Sequence, residues 1–199
     1  SVDWLTAVVD VKASTTTPLT YDANGNRTTE GMKAFSWDIR DTLTRVQDGA
    51  AVLGTYDYDA ALQRVKADSA QGHVEYVLDG KYVLRETGAR TRRYHFSDGE
   101  ALAVTGVGGG SSQDTWLLID ALGSVVSEAN AAGGSVTARQ FDAWGNYRNG
   151  TAPTANETRL GFTGHQYDVE SGLTYDVKVR ARYGDGHAAT ERFYENLIE

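Results

Sequence analysis

The residue types that most often carry chemistry are thinly spread in this chain. Four histidines, His73, His95, His165 and His187, share no H-x-x-x-H or H-E-x-x-H spacing, so no zinc site is expected. Cysteine is absent, which removes thiolate metal sites and structural disulfides together. No G-x-S-x-G elbow supports a serine nucleophile. The run Gly106-Val-Gly-Gly-Gly110 lacks a following G-K-[S/T], and Ser111 stands where G-x-G-x-x-G needs its last glycine. Asp57 and Asp59, two apart, read as sharing one face of a strand, but no partner carboxylate across a cleft makes them a glycosidase pair. His165, in Gly164-His-Gln-Tyr167, reads as a turn histidine. No catalytic residue, metal or cofactor is expected from these types.

The elements that would position any site are legible in a repeat. An aromatic residue directly precedes Asp at Tyr21, Trp37, Tyr56, Tyr58, Phe141, Tyr167 and Tyr175. Random placement of the aromatics and aspartates would give about two such pairs. The spacing is near 20 residues, the length of a β-hairpin with its two connections. Three copies continue as D-x-x-G: Asp22 with Gly25, Asp120 with Gly123, and Asp142 with Gly145. Asp at the first position and Gly at the fourth suit a type I turn, with the Asp side chain capping backbone N–H groups and the Gly accepting positive φ. Asp79-Gly80 between two alternating runs is a further hairpin signal. Residues 115–120 read as a more buried strand. Residues 188–197 are the one helical candidate.

With 22 glycines, 2 prolines and 11 tyrosines, the composition suits an all-β chain of many turns. A net charge of -8 argues against a nucleic-acid surface or an anionic membrane surface. The basic run Arg90, Arg92, Arg93 reads as a solvated strand or turn. No apolar run reaches membrane-spanning length. The chain opens without Met and without a signal peptide, and is expected to be a piece of a longer protein. The repeat tyrosines have two readings, packing between neighbouring hairpins or stacking on a sugar.

Tyr21-Asp-Ala-Asn-Gly-Asn-Arg27 resembles the consensus of RHS/YD repeats, and Tyr58-Asp-Ala-Ala-Leu-Gln-Arg-Val65 a copy without the turn glycine. Residues 116–183 contain Asp120-Ala-Leu-Gly-Ser-Val-Val126, Phe141-Asp-Ala-Trp-Gly-Asn146, Gly161-Phe-Thr-Gly164, Glu170-Ser-Gly-Leu-Thr-Tyr175 and Arg180-Ala-Arg-Tyr183, which in that order resemble the RHS-repeat-associated core. The resemblance implies an array of antiparallel hairpins in a curved or spiralling sheet, part of a shell in a secreted bacterial toxin that encloses and delivers a C-terminal toxic domain. It also implies partners: the rest of the shell and the enclosed domain, with a cell-surface glycan as the alternative. The implied divisions are repeat hairpins at 1–105, a Gly/Ser loop at 106–112, the core at 113–183 and an atypical tail at 184–199. In the family a pair of D-P motifs closes the core and can cleave the chain. Here Asp185 stands without a following proline and without a partner, so self-cleavage by an aspartate pair is not expected, and an autoprotease at Asp185 or a toxin formed with the tail at 184–199 is the second alternative.

Overall fold

The computed structural model describes residues 4–11, 13–79, 82–87, 91–98, 100–106, 114–130, 132–143, 145–148, 152–153, 157–175, 181–182 and 188–189. The chain separates into two compact units, Ser1–Glu75 and Tyr76–Glu199. Fourteen strands are hydrogen-bonded in strict sequence order, β1 to β14, and every registered pair is antiparallel. The fold is therefore an all-β meander, in which each strand pairs with the one made just before it.

In the first unit the strands are β1 (Ala7–Asp10), β2 (Thr15–Tyr21), β3 (Arg27–Glu30), β4 (Lys33–Trp37), β5 (Leu43–Asp48), β6 (Ala51–Tyr58), β7 (Arg64–Ser69) and the first half of β8 (Gly72–Asp79). Register places Leu19 against Glu30, Phe35 against Val46 against Gly54, and Tyr56 against Ala67. Partners in register share a face, and this face is buried: Val46 is fully covered. Much of the cover comes from side chains on the sheet itself. The Arg27 guanidinium lies 5.3 Å from the Phe35 ring centre and that of Arg64 4.9 Å from Tyr56. Arg27 also pairs with Glu30 at 2.9 Å.

The second unit continues with β9 (Tyr82–Thr87), β10 (Thr91–Ser97), β11 (Glu100–Thr105), β12 (Asp114–Ile119), β13 (Val125–Ala129) and β14 (Ser135–Ala138). Two short hairpins follow, β15 (Gln166–Asp168) with β16 (Leu173–Tyr175), and β17 (Ala181–Arg182) with β18 (Ala188–Ala189). The core here joins Tyr94, Ala101, Val104, Leu117 and Val125 from the sheet to Leu160 from a later segment.

Several expectations change. β12 is not buried on both sides: it alternates, with Thr115 and Leu117 covered but Trp116 52% and Leu118 48% exposed. Only one face of the strand meets the later segment's core, so the other stays open. The expected helix at 188–197 cannot begin where proposed, because Ala188 and Ala189 pair with Arg182 and Ala181 as strand; 190–199 lie outside the described residues. Arg92 is buried and Arg93 exposed, because neighbours on a strand point to opposite faces; Arg90 lies outside the described residues. Asp57 and Asp59 do not form a pair on one face. The register shifts between Asp57 and Tyr58, after which Asp59 opens a turn while Asp57 meets Lys66 at 3.5 Å. Of the Gly/Ser loop only Gly106 is described, and Asp185 lies outside the described residues.

Candidate functional site: a clasp across two turns

The chemistry of this chain begins in its hairpin tips. Asp22 N–H donates to Asn26 O at 2.9 Å and Gly25 N–H donates back to Asp22 O at 3.0 Å. The Asp22 carboxylate accepts from the backbone N–H groups of Asn24 and Asn26 at 2.9 and 2.8 Å. The same backbone pattern recurs at 38–42, 59–63, 120–124, 130–134 and 142–146. The fourth residue of each has positive φ: Gly25 76°, Asp41 60°, Leu62 65°, Gly123 81°, Gly133 79° and Gly145 87°. Sequence reading isolates three of these tips. It passes over the one opened by Asn130, whose amide oxygen does the work of the carboxylate, accepting from Ala132 and Gly134 at 3.0 Å each.

In the first unit, neighbouring tips are tied together. Asp41 Oδ1 accepts from Asn24 Nδ2 at 2.9 Å and from Asn26 Nδ2 at 2.8 Å, and Arg40 reaches Asp59 O at 3.2 Å. Asp38 would be raised by burial, but hydrogen bonds from Thr42, then Arg40, outweigh it and hold its pKa at about 2. The aromatics ahead of the aspartates reach backward. Trp37 Nε1 donates to Arg27 O at 2.7 Å, and Arg27 stands opposite Tyr21 in register. Tyr21 itself stacks on Trp4 at 5.2 Å.

In the second unit, residues 157–168 cross the covered face and clasp two of the tips. Val125 N–H donates to Gly161 O at 3.0 Å, and Thr163 N–H to Ser124 Oγ at 3.0 Å. A Cβ on Gly164 would lie 3.3 Å from Gly123 O. On the 142–146 tip, a Cβ on Gly145 would lie 2.8 Å from Phe162 Cδ1, so Phe162 occupies the space that a side chain there would need. Phe141 packs on Tyr147 at 4.9 Å and on Phe162 at 5.7 Å, and Tyr147 meets Tyr167 edge-on at 5.5 Å. Burial holds the Tyr147 hydroxyl well above its ordinary pKa. Gln166 Nε2 donates to the Tyr76 hydroxyl at 3.0 Å. Asp168 is buried, and its carbonyl accepts from Gly172 N–H at 2.8 Å. Tyr175 is half-buried in β16.

At the centre of the clasp Thr163 adopts φ 50°, ψ 26°, a strained setting for a β-branched residue. Its Oγ1 is 2.6 Å from His165 Nδ1. A hydroxyl beside an imidazole is the beginning of a nucleophile and base. Acyl transfer also needs donors aimed at an oxyanion. The N–H groups of Thr163, Gly164 and His165 already donate, to Ser124 Oγ, Gly161 O and Phe162 O. The strain therefore serves attachment: a left-handed Thr163 turns its own N–H onto Ser124. A further anchor of the segment is Thr158, whose N–H donates to buried Glu128 at 3.3 Å. Among the described residues, no three His, Asp or Glu side chains group to hold a metal, and no helix is long and apolar enough to cross a membrane.

A scan against protein-family models finds no match. The chain is 32% identical over 174 residues to the tRNA3(Ser)-specific nuclease WapA of Bacillus spizizenii, and 32% identical over 173 residues to the tRNA nuclease WapA of Bacillus subtilis strain 168. Each alignment covers 83% of this chain, and the chain spans 7% of the length of either relative. In fold it is similar to the crystal structure of TcdB2-TccC3-TEV, with a TM-score of 0.61 at 15% identity over 81% of this chain and 10% of that one. It is likewise similar to the Tc holotoxin pore of Photorhabdus luminescens, with a TM-score of 0.59 at 14% identity over 81% of this chain and 10% of that one. The antiparallel meander and these likenesses together support the resemblance to RHS repeats drawn from the sequence.

Proposed function

We propose that this chain is a wall segment: a length of RHS shell that, in a larger secreted bacterial protein, encloses and delivers a toxic domain lying elsewhere in that protein. The observation that carries this reading is the unbroken order of β1 to β14. A meander whose strands pair only with their neighbours can be extended by further hairpins without rearranging those already made. Among the described residues the outer edges of β1 and β14 pair with no other strand of the sheet, and an open edge is a template for more strand. The partners are then further hairpins of the same shell and the enclosed domain, with no cofactor. The tRNA cleavage in the names of the WapA relatives is assigned to nothing in this chain. Its net charge of -8 opposes an RNA surface, and the N–H groups of Thr163, Gly164 and His165 are already engaged within the clasp.

The carbohydrate-binding alternative loses its first support, because Trp37 and Tyr58 are half-buried and engaged with backbone carbonyls. It would rest instead on Trp116, 52% exposed on the open face of β12. The two readings separate in one experiment. The parent protein is expressed with and without this segment and digested with protease, and the isolated chain is tested on a glycan array. Containment expects the toxic region to become protease-sensitive on deletion, and the isolated chain to self-associate through its edges. Equal sensitivity in both forms, with glycan binding lost on Trp116→Ala, would replace it by the binding module.

A further inference from the structure

One exposed face of the first unit carries alternating charge across three strands. Register sets Asp57 of β6 opposite Lys66 of β7, Lys66 opposite Glu75 of β8, and Asp68 of β7 opposite His73 of β8. Lys66 Nζ lies 2.8 Å from Asp68 Oδ2 and 3.5 Å from Asp57 Oδ2. The other oxygen of the Asp68 carboxylate, Oδ1, is 2.6 Å from His73 Nδ1, and His73 Nε2 is 3.3 Å from Glu75 Oε1. Both ring nitrogens of His73 therefore face carboxylates. A neutral imidazole has one N–H and one lone pair. In either tautomer it would turn that lone pair toward a carboxylate oxygen, and only the imidazolium donates to both.

We propose that β8 is fastened to β7 by a proton: the charged His73 bridges Asp68 and Glu75, so that the first half of β8 is held to the sheet more tightly in mildly acidic than in neutral solution. Lys66 serves the bridge by fixing the second oxygen of Asp68, although its charge opposes another cation nearby. The hydrogen bond to Asp68, then that to Glu75, raises the His73 pKa, against desolvation and Lys66. Lys66, then His73, lowers that of Asp68. Among the described residues His73 makes no other hydrogen bond or ion pair. On the other side of β8, β9 carries one charge of each sign in sequence, Arg85 and Glu86. A histidine raised in the folded state contributes stability that is fully present below its ordinary 6.5 and is lost as pH rises through its folded-state value. The contribution of Asp68 is present above its ordinary 3.8, so the two overlap in mild acid. The side chains of the bridge are all more than one-third exposed, so salt screens it. The bridge closes on the final residues of the first unit, which ends at Glu75. The inference does not depend on whether the chain encloses anything.

The test follows the whole chain by NMR. The titration midpoint of the His73 ring should fall in Asp68→Asn and also in Glu75→Gln. Hydrogen exchange of the β7 amides and of residues 72–75 is compared at pH 5.5 and 8.0, corrected for the intrinsic pH dependence of exchange. At low salt, protection should be about twofold or more higher at pH 5.5, and the gain should shrink in high salt. In His73→Gln the gain should vanish, because no proton can be taken up there. A gain that survives in His73→Gln, or no gain in the native chain, overturns the proposal. So does a His73 midpoint that moves in neither carboxamide variant. If Asp68→Asn does not fold, Glu75→Gln decides: an unchanged midpoint in that variant is again fatal.

Discussion

Tyr58 donates its hydroxyl hydrogen to the carbonyl of Leu43 at 2.8 Å, and Leu43 is the residue that stands opposite Trp37 in register. Trp37 in turn reaches the carbonyl opposite Tyr21. Trp37 and Tyr58 thus each hold the strand pair that ends at the repeat aromatic before them.

Removing that link while keeping the ring should be measurable. Tyr58→Phe leaves the ring and loses the hydrogen bond to Leu43, so it should cost about 1 kcal/mol in urea unfolding. A variant as stable as the native chain would mean that the ring alone carries the contact.

Two turn glycines of the second unit, Gly123 and Gly145, should not respond alike. Both have positive φ, but an added Cβ meets nothing within 4 Å at Gly123 and meets Phe162 at 2.8 Å at Gly145. Gly145→Ala should therefore cost at least about 1 kcal/mol more than Gly123→Ala, by overpacking. Combining Gly145→Ala with Phe162→Ala should recover part of the difference in a double-mutant cycle.

Leu62 holds a φ of 65° that a glycine would adopt without strain. A non-glycine residue in this region costs roughly 1–2 kcal/mol, against roughly 0.5–1 kcal/mol of extra chain entropy for glycine. Leu62→Gly should leave thermal stability equal or higher, whereas Leu62→Val should lower it, because a β-branched residue resists this φ. A lower melting temperature for the glycine variant would show that the Leu62 side chain contributes more by packing than its backbone loses.

Asp38 gives the first unit an acid-sensitive pH signature. Its pKa is held below the ordinary 3.8, at about 2, so its stabilisation is present above 3.8 and is lost as pH falls through 2. Asp38→Ala should cost about 1 kcal/mol near neutral pH as a lost turn cap, and this gap should close on titration toward pH 2. Asp38→Asn should cost less, since Asn130 performs the same role in this chain. A gap that persists at pH 2 would assign the loss to something other than the carboxylate charge.

The hairpin succession was legible because its signals are local. An aromatic, an Asp and a Gly within five residues carry both the strand end and the turn, and Asp22, Asp120 and Asp142 coincide with turns that the backbone makes. The clasp was not legible, because its contacts join residues far apart in sequence. Thr163 meets Ser124 across 39 positions and Thr158 meets Glu128 across 30, with no period to announce either. The burial of Arg92 was hidden for a related reason. Charge argues for solvent, and only strand alternation within the completed sheet places that side chain inward.

The recurrence of one tip geometry under changing residues bears on how such chains diverge. Asp41 and Leu62 occupy the glycine position, and Asn130 the aspartate position, yet the torsion angles and the return hydrogen bond persist. Read in letters, the described residues contain three tips; read in torsions, six. The same bend therefore forms under different residues where the flanking strands are paired alike. Such a tip is then written more durably in its torsions than in its letters.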